Sequence, residues 1–380
     1  MPWDTRGVVS MREEFIARVT AKLMSISELC REYKITRRTA YKWLKRFDED
    51  GVMGLQDRSR RPCRMPLRIK DSVKELILRY RDKYPSWGAK KIKQVLLNDG
   101  YNGLPSLSSF NRIFLHEGRV LPTESEKRKQ FLRFEKQSPN ELWQMDFKGH
   151  FEMVEGACHP LTVLDDCSRF SICLKACVSE SEFAVRKALE AAFYQYGIPI
   201  AMTMDNGSPW KGYPKQRLSN LTVWLMRLGI KVGHSRPRHP QTQGKDERFH
   251  RTFKEEVLKY HNFQSLTEAQ KHFDAWREIY NYIRPHEALN MKCPGERYSP
   301  SNRRYTEKLP AIEYRSEDQV KKVGGNGEVS FQGNRLYVGS FLKGERVAFR
   351  QRKEDEWDIY YVESRIGSFK RNKEKLYTMS

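Results

Sequence analysis

The sequence lacks any apolar run approaching the eighteen or so residues that a membrane-spanning helix needs. Its first ten residues, MPWDTRGVVS, lack the apolar stretch of a secretory signal, so we expect a cytoplasmic protein without a membrane anchor. Cysteines are few, seven in 380 residues, and their spacings match no zinc motif, which predicts reduced thiols rather than metal ligands. Aromatic residues make up 12% of the chain, which is too many for a disordered protein.

Acidic residues are scarce relative to basic ones. The chain has 70 Lys and Arg against 48 Asp and Glu, and a net charge of +22. An excess of this size predicts a polyanionic partner, for which nucleic acid is the first choice and an anionic membrane surface the weaker one. The excess is densest at the N-terminus, since residues 1–135 carry 30 basic and 17 acidic side chains.

Residues 1–60 are predicted to form a helix-turn-helix DNA-binding domain. Ser27 and Thr36 are predicted to begin its two short helices, and Gly51 follows the second. One face of the second helix is an apolar stripe made of Ala40, Trp43, Leu44 and Phe47. The opposite face carries the predicted DNA contacts, which are Arg37, Arg38, Lys42, Lys45 and Arg46. The alternative is a small helical hairpin with a solvated charged face.

Residues 68–120 are predicted to form a second helical DNA-binding domain. Apolar stripes on either side of Trp87-Gly88, followed by a serine cap and a third stripe, indicate three helices. Lys90, Lys91 and Lys93 are expected to stay outside, and Lys90 and Lys91 are the predicted DNA contacts. A pure spacer is the alternative. A charged linker containing proline is predicted at 121–138.

The rest of the chain is predicted to hold an α/β domain at 139–300 and a small all-β domain at 318–375. Strands are indicated between 143 and 178, and a helix is predicted at 181–196, ended by Gly197. Alternating strands and helices follow, which together indicate a mixed sheet. A hairpin signal at Gly333-Asn334 and several short strands indicate the C-terminal domain, for which a barrel is predicted. The predicted fold class is therefore multidomain, with all-α units, a central α/β domain and an all-β domain.

Two aspartates lie where strands could present them to a cleft. Asp146 shares one face of its strand with Gln144 and Lys148, and a carboxylate there is costly unless it is hydrogen-bonded or bound to a metal. An aspartate on a solvated edge strand is an equally good explanation. Asp205 ends the strand IAMTM, at the kind of position where open sheets bind ligands, but the Asn206-Gly207 pair that follows is also a common turn.

Glu247 lies early in a predicted helix whose neighbouring positions carry His250, Arg251 and Lys254. One interpretation is an ordinary Glu–Arg pair on a solvated helix. The other is a metal ligand flanked by phosphate-binding groups, and it makes His250, Arg251 and Lys254 DNA contacts.

Five motifs, taken together, are typical of one known family. They are W-Q-M-D-F at 143–147, L-D-D-C-S-R-F at 164–170, D-N-G at 205–207, H-P-Q-T-Q-G-K-D-E-R-F-H at 239–250, and N-Y-I-R-P-H-E-A-L with P-G-E-R-Y at 281–298. Over about 140–300 the chain resembles a DDE transposase of bacterial insertion sequences, whose catalytic domain is similar to retroviral integrase. The N-terminal helical pair fits the same family, whereas the sequence lacks the zinc module that precedes the catalytic domain in integrases.

The resemblance implies a ribonuclease-H-like fold in which Asp146, Asp205 and Glu247 are catalytic and hold two Mg²⁺ ions, for which Mn²⁺ can substitute. Forty-one residues separate Asp205 from Glu247, somewhat more than in integrases. The extra length is assigned to the loop that contains Trp210, Gly212 and Pro214.

Three further acidic residues compete for this role. Matching residue by residue selects Glu247 over its neighbour Asp246. The same matching leaves the adjacent Asp165 and Asp166 as structural or supporting residues.

The implied function is that of a DNA transposase, which binds the ends of an insertion sequence, cleaves them and joins their 3′-hydroxyl ends to target DNA. The implied partners are double-stranded DNA, as terminal inverted repeats and as target, and further copies of the chain, at least a dimer on paired ends, on the bacterial nucleoid. Three alternatives stay open: a non-catalytic DNA-binding regulator derived from a transposase and using residues 1–118, a metal-dependent nuclease that cuts without joining, and a serine or tyrosine recombinase.

Overall fold

The computed structural model describes residues 7–22, 24–58, 69–120, 135–205, 218–234 and 244–371. Contacts divide the chain into two units, one comprising residues 1–69 and the other residues 70–380. Most of the predicted linker at 121–138, and the whole of the loop that contains Trp210, Gly212 and Pro214, lie outside the described residues. No helix among the described residues is both long enough and apolar enough to cross a membrane.

The first unit consists of three short helices, α1 (Val8–Thr20), α2 (Ile26–Glu32) and α3 (Arg37–Asp50), and a 3₁₀ turn (Gly51–Leu55). Thr36 begins α3 as predicted, since its hydroxyl accepts from the Thr39 N–H. The prediction that Ser27 begins α2 is wrong. Ser25 does so, because its hydroxyl accepts from the Glu28 N–H while the Glu28 carboxylate accepts from the Ser25 N–H at 2.9 Å.

The stripe predicted on α3 supplies much of this unit's core. Ala40 and Trp43 are buried against Phe15 of α1 and Leu29 of α2. Arg12 lies 3.7 Å from the centre of the Trp43 ring, a cation–π contact that closes the core on one side.

The second unit begins with three helices, α4 (Asp71–Lys83), α5 (Ala89–Asn98) and α6 (Leu107–His116). We call this segment, residues 70–120, the second helical group. Its apolar stripes meet in a small core built from Ile77, Trp87, Ile92, Leu96 and Phe110. Ser106 begins α6, with its hydroxyl accepting from the Ser109 N–H.

A mixed six-stranded sheet follows. Its strands are β1 (Leu142–Phe147), β2 (Phe151–Met153), β3 (Gly156–Asp165), β4 (Ser171–Cys177), β5 (Ala201–Met204) and β6 (Lys231–His234). The order is β2-β3-β1-β5-β6, and β4 also pairs with β3. β1 runs antiparallel to β3 and parallel to β5, so it lies in the interior of the sheet. The prediction of a mixed sheet is therefore confirmed.

Helices cover both faces of this sheet. One face packs on α7 (Glu182–Tyr196) and α8 (Asn220–Arg227), through a core that includes Trp143 and Met145. The other packs on α9 (Gly244–Phe253) and α10 (Leu266–Glu278), through a core that includes Leu164 and Leu174. Both α9 and α10 continue into single π-helical segments, Lys254–Leu258 and Ile279–Ile283, and a short helix α11 (Pro294–Arg297) follows. α7 ends at Gly197, which has φ +74° and fits the helix stop predicted there.

The C-terminal segment is all-β, as predicted. Its strands are β7 (Gln319–Lys322), β8 (Glu328–Phe331), β9 (Asn334–Tyr337), β10 (Arg346–Lys353), β11 (Glu356–Tyr361) and β12 (Ser364–Lys370). They form a four-stranded sheet of order β12-β11-β10-β7 and a separate β8–β9 hairpin. The hairpin turns at Gln332-Gly333, one residue before the predicted position, because both residues have the positive φ that a two-residue turn requires. A closed barrel stays a prediction.

Candidate active site

Asp146 lies on an interior strand, on the face that packs under α9. Strand alternation buries Trp143, Met145 and Phe147 on the opposite face. Because β1 is paired on both sides, by β3 and by β5, the explanation of Asp146 as an edge-strand residue is wrong. Its carboxylate is instead held at a fixed position over the middle of the sheet.

Asp205 follows β5, the parallel neighbour of β1. In the parallel pairing of β1 and β5, Gln144 lies opposite Thr203. Continued by two residues, the same register places Asp146 beside Asp205. The backbone oxygen of Asp205 accepts a hydrogen bond from His234 Nδ1 on the next strand at 2.9 Å. The predicted turn at Asn206-Gly207 lies outside the described residues.

Three other carboxylates act on Asp146 at this end of the sheet. The pKa of Asp146 is raised to about 7, mainly by burial and then by the negative charges of Asp205, Glu180 and Glu247, while the Phe147 N–H lowers it. Glu180 was missed by the sequence reasoning. The signal that could have found it is the one that indicated Asp205, an acidic residue just beyond a buried strand. Within the described parts of the chain, no three His, Cys, Asp or Glu side chains are close enough together to hold a metal ion.

The first turn of α9 carries two acidic residues with opposite surroundings. Glu247 is exposed, whereas Asp246 is only 3% exposed and packs towards the sheet. Burial and the charges of Asp146 and Asp166 raise the pKa of Asp246 well above its usual value, against the opposing effect of Lys245 and Arg169. One oxygen of Asp246, Oδ1, has no hydrogen-bond partner among the described residues.

Asp165 and Asp166 are both buried, and both are used for local structure. Asp165 accepts from the Asn140 N–H at 2.7 Å and from the N–H and hydroxyl of Ser168. Asp166 accepts from Gln144 Nε2 and the Lys136 N–H, both at 2.7 Å, and forms an ion pair with Lys245.

His250 joins α9 to the strand that carries Asp146. The Thr162 hydroxyl donates to the backbone oxygen of Asp146 at 2.9 Å, so His250 Nε2, 2.8 Å from the same hydroxyl oxygen, is the donor in its own bond. Burial, assisted by the charge of Lys148, lowers the pKa of His250 to about 4, and the ring is therefore neutral. Although predicted as a DNA contact, the ring lies between helix and sheet in the structure.

Two cations from different elements approach each other beside this bond. Lys254, on the turn after His250, is exposed, while Lys148, two residues after Asp146, is partly buried. Burial and the charge of Lys254 lower the pKa of Lys148. Lys148 was noted in the sequence only for its position on the strand, and no pattern there indicated that Lys254 lies close to it. Arg251 is exposed. Among the described residues it forms no ion pair with Glu247, so the contact that a Glu–Arg pair on this helix would need is absent.

The predicted DNA contacts on the helical units differ in accessibility. Four of the five on α3 are exposed, namely Arg37, Arg38, Lys42 and Lys45, and Arg46 is partly buried beside Trp43. In the second helical group Lys90 is exposed. Lys91 does not stay outside as expected, because it is partly buried next to Glu256, Arg284 and Glu287 of the residues that follow the sheet.

Known sequence families match most segments of the chain. Integrase core domain families match residues 136–240 and 228–294. A homeodomain-like domain matches residues 39–114, and a helix-turn-helix domain matches residues 11–62. The C-terminal domain of IS481 family transposases matches residues 318–376.

Similar curated proteins come from bacterial insertion elements. The chain is 30% identical over 159 residues to an uncharacterized 31.7 kDa protein of insertion element IS407 from Burkholderia multivorans, covering 42% of this chain and 55% of that protein. It is 31% identical over 160 residues to a 39.2 kDa protein of IS476 from Xanthomonas euvesicatoria, covering 42% and 44%. It is 27% identical over 135 residues to the transposase of IS21 from Pseudomonas aeruginosa, covering 35% and 34%. The chain thus spans about half the length, or less, of these relatives.

Solved integrase structures are more distant. The HTLV-2 integrase catalytic core in complex with magnesium is 18% identical, with coverage of 42% of this chain and 97% of that one and a TM-score of 0.34. An intasome of simian T-cell lymphotropic virus is 13% identical, with coverage of 80% and 96% and a TM-score of 0.38. The family matches confirm the predicted order of helix-turn-helix domains and an integrase core, and the structure gives this core its mixed sheet.

Proposed function

We propose that this chain, whose resemblance to the DDE transposases of bacterial insertion sequences is confirmed, binds the ends of such an element, cleaves them and joins the 3′-hydroxyl ends to target DNA. The observation that carries the proposal is that Asp146 is partly buried inside the integrase core, where the charges of Asp205 and Glu247 both act on it. Burial is the main cause of its raised pKa, and these two carboxylates, which come from other elements, add to it.

The donor set fits a divalent metal ion. Carboxylate oxygens are the ligands preferred by Mg²⁺ and Mn²⁺. Burial raises the Asp146 pKa most, the charges of Asp205 and Glu247 raise it further, and a bound cation would offset both effects. The HTLV-2 integrase core was solved with magnesium. We assign two Mg²⁺ ions to Asp146, Asp205 and Glu247, with Mn²⁺ as a substitute. Glu247 is exposed, so its side chain is free to turn towards the two aspartates. When bound, such ions polarise the phosphate and lower the pKa of an attacking water or hydroxyl.

The remaining chemistry is done by positioning. Asp146 is fixed on an interior strand, and the His250–Thr162 bonds hold α9 over that strand. Lys148, Arg251 and Lys254 bind the phosphates on either side of the reacting one, and so bring its phosphorus into line with the attacking oxygen. A water oxygen first attacks the phosphorus at the element end, and the bond from that phosphorus to the 3′-oxygen breaks, which frees a 3′-hydroxyl on the element and leaves a 5′-phosphate on the flanking strand. The freed 3′-oxygen then attacks the phosphorus of a target phosphodiester, whose own 3′-oxygen leaves. No bond between protein and DNA forms in either step.

End recognition falls to the helical units in this proposal. The exposed basic face of α3 enters the major groove, and Lys90 of the second helical group contacts the backbone. Joining two ends to one target requires two chains on paired ends, so we propose at least a dimer bound to DNA on the bacterial nucleoid.

The test is an end-cleavage and joining assay with Mg²⁺ and candidate end DNA. Asp146→Asn, Asp205→Asn and Glu247→Gln should each abolish cleavage and joining and leave end binding within about twofold, because each change removes charge and little volume. Glu278→Gln on α10, which changes an exposed carboxylate in the same way, is the control and should be active.

The outcomes separate the competing functions. Substantial joining by one of the three variants would remove that residue from the site. End binding by the wild-type chain without any chemistry would favour the non-catalytic regulator, and cutting without joining would favour a nuclease. A trapped covalent protein–DNA adduct would favour a serine or tyrosine recombinase.

A further inference from the structure

Glu256 is a buried carboxylate at the junction of three segments. Its side chain is 8% exposed and accepts three hydrogen bonds. Arg284 Nε and Trp87 Nε1 donate to Oε1 at 2.9 and 3.1 Å, and Trp276 Nε1 donates to Oε2 at 3.0 Å. A buried charge is tolerated only when its acceptors are filled, so each of these donors is needed.

Only one of the three donors comes from outside the integrase core. Arg284 and Trp276 belong to α10 and the residues that follow it, whereas Trp87 belongs to the second helical group, 169 positions before Glu256 in the sequence. Trp87 is 1% exposed and stacks on Tyr84 with ring centres 4.0 Å apart. The Trp87–Glu256 bond therefore ties the second helical group to the core.

Lys91 strengthens the same junction. Its ammonium lies near Glu256 and Glu287, and burial together with the charge of Arg284 lowers its pKa to about 8. Lys90, its neighbour on α5, is exposed. One lysine of the pair thus belongs to the junction, and the other stays available to DNA.

The junction is built on the helix that carries Glu247. α9 begins at Gly244 and runs without a break into the π-helical segment that contains Glu256. Glu256 lies nine positions after Glu247, which at 1.5 Å per residue is roughly 13 Å along one helix. Glu256 lies within this π-helical turn, where the side chains point in directions different from those of a regular α-helix. Such turns are frequent at functional sites.

From this arrangement we infer that Glu256 docks the second helical group onto the helix of Glu247 and thereby fixes how far the DNA held by that group lies from the catalytic carboxylates. Glu256 and Trp87 are positioning residues in this scheme, since both side chains are buried at the junction. The docking of the second helical group through Glu256 is inferred from the structure alone. Its effect on the position at which DNA is cut rests on the proposed function.

The test compares Trp87→Phe and Glu256→Met with Trp276→Phe in the full-length chain. Glu256→Met keeps the length of the side chain and removes both acceptor oxygens. Trp276→Phe is the matched control, because it removes the same type of donor from the same carboxylate but leaves the link to the second helical group intact. Hydrogen exchange without DNA or metal comes first. A hydrogen bond to a charged acceptor is worth roughly one to two powers of ten in an equilibrium constant. Exchange of the α4–α6 amides should therefore rise about tenfold or more in Trp87→Phe and Glu256→Met, and stay within about threefold of wild type in Trp276→Phe.

Mapping the cut position on end DNA at nucleotide resolution comes second. Wild type and Trp276→Phe should cut at one position, and the two undocked variants should spread their cuts over neighbouring positions while binding ends normally. Unchanged exchange in both undocked variants would overturn the docking, and a single cut position despite raised exchange would overturn its consequence. A wild-type chain that never cuts counts against the proposed function, and the exchange comparison then still decides the docking.

Discussion

Asp146→Asn should make the chain more stable at neutral pH while destroying its activity. The carboxylate is held among like charges in a partly buried position, so its ionisation in the folded chain is costly. The amide of asparagine has nearly the same volume and no charge. The variant therefore removes the penalty and keeps the packing.

The raised pKa of Asp146 sets both the size of the stability difference between wild type and variant and the pH range over which it changes. A carboxyl whose pKa rises from 3.8 to about 7 on folding favours the folded state fully below pH 4, and this contribution is lost as the pH rises through about 7. At about 1.4 kcal/mol per pH unit, wild type loses up to roughly 4 kcal/mol relative to the variant by pH 8, and about 2 kcal/mol by pH 5. These are upper limits, because Asp146 keeps some contact with solvent.

The assay is urea unfolding of wild type and variant in EDTA at pH 5 and pH 8, with the slope checked for constancy. Asp318→Asn is the matched control with the opposite sign. Hydrogen bonds from Arg350 lower the pKa of Asp318, so its carboxylate stabilises the fold above pH 4 and the contribution is lost as the pH falls through the lowered value. Asp318→Asn should therefore be less stable than wild type at pH 8.

A stability difference between wild type and Asp146→Asn that does not change with pH would refute the reasoning. If Asp146→Asn changes stability equally at pH 5 and pH 8, folding does not raise the pKa of Asp146, and neither its burial nor the nearby carboxylates act on it as argued. Adding Mg²⁺ should stabilise wild type and not the variant, because only wild type retains the full set of acidic ligands.

Three further predictions concern DNA and the position of α9. Arg251→Ala or Lys254→Ala should reduce joining about tenfold, and raising the DNA concentration should restore part of it; recovery by Mg²⁺ alone would mean that these residues serve the metal instead. The triple variant Arg37→Ala, Arg38→Ala, Lys42→Ala should weaken metal-free end binding at least tenfold and flatten its salt dependence in fluorescence anisotropy, and unchanged binding would remove α3 from end recognition. His250→Phe should lower the midpoint of thermal unfolding by several degrees, whereas His250→Gln, which keeps a donor, should lower it less; equal losses would show that the Thr162 bond is not what matters.

Periodicity and capping predicted the elements well where the cause is local. The apolar stripe of α3, the Thr36 cap and the stop at Gly197 all depend on residues within a few positions of one another. The wrong prediction for Ser27 also concerns a local interaction. Ser25, and not Ser27, begins the helix because the Glu28 carboxylate accepts from the Ser25 N–H.

The candidate site was predictable only in part. Strand alternation gives the face on which Asp146 lies, but not that α9 crosses this face or that Glu180 lies close by. A helix-face pattern likewise says which residues share a side, and not what that side packs against. His250 and Lys91 were expected outside for this reason, and each meets an element distant in sequence.

Buried charges show the same limit most clearly. In the sequence K-E-E-V-L, Glu255 and Glu256 are equivalent neighbours on a charged helix. In the structure Glu255 pairs with Lys259 four residues away at the surface, while Glu256 takes donors from positions 20, 28 and 169 residues distant. The surface pair contributes little, whereas removing one partner from a buried charge leaves it uncompensated. A net charge of +22 therefore predicts a polyanionic partner, but only the packing decides which cations are left to contact it.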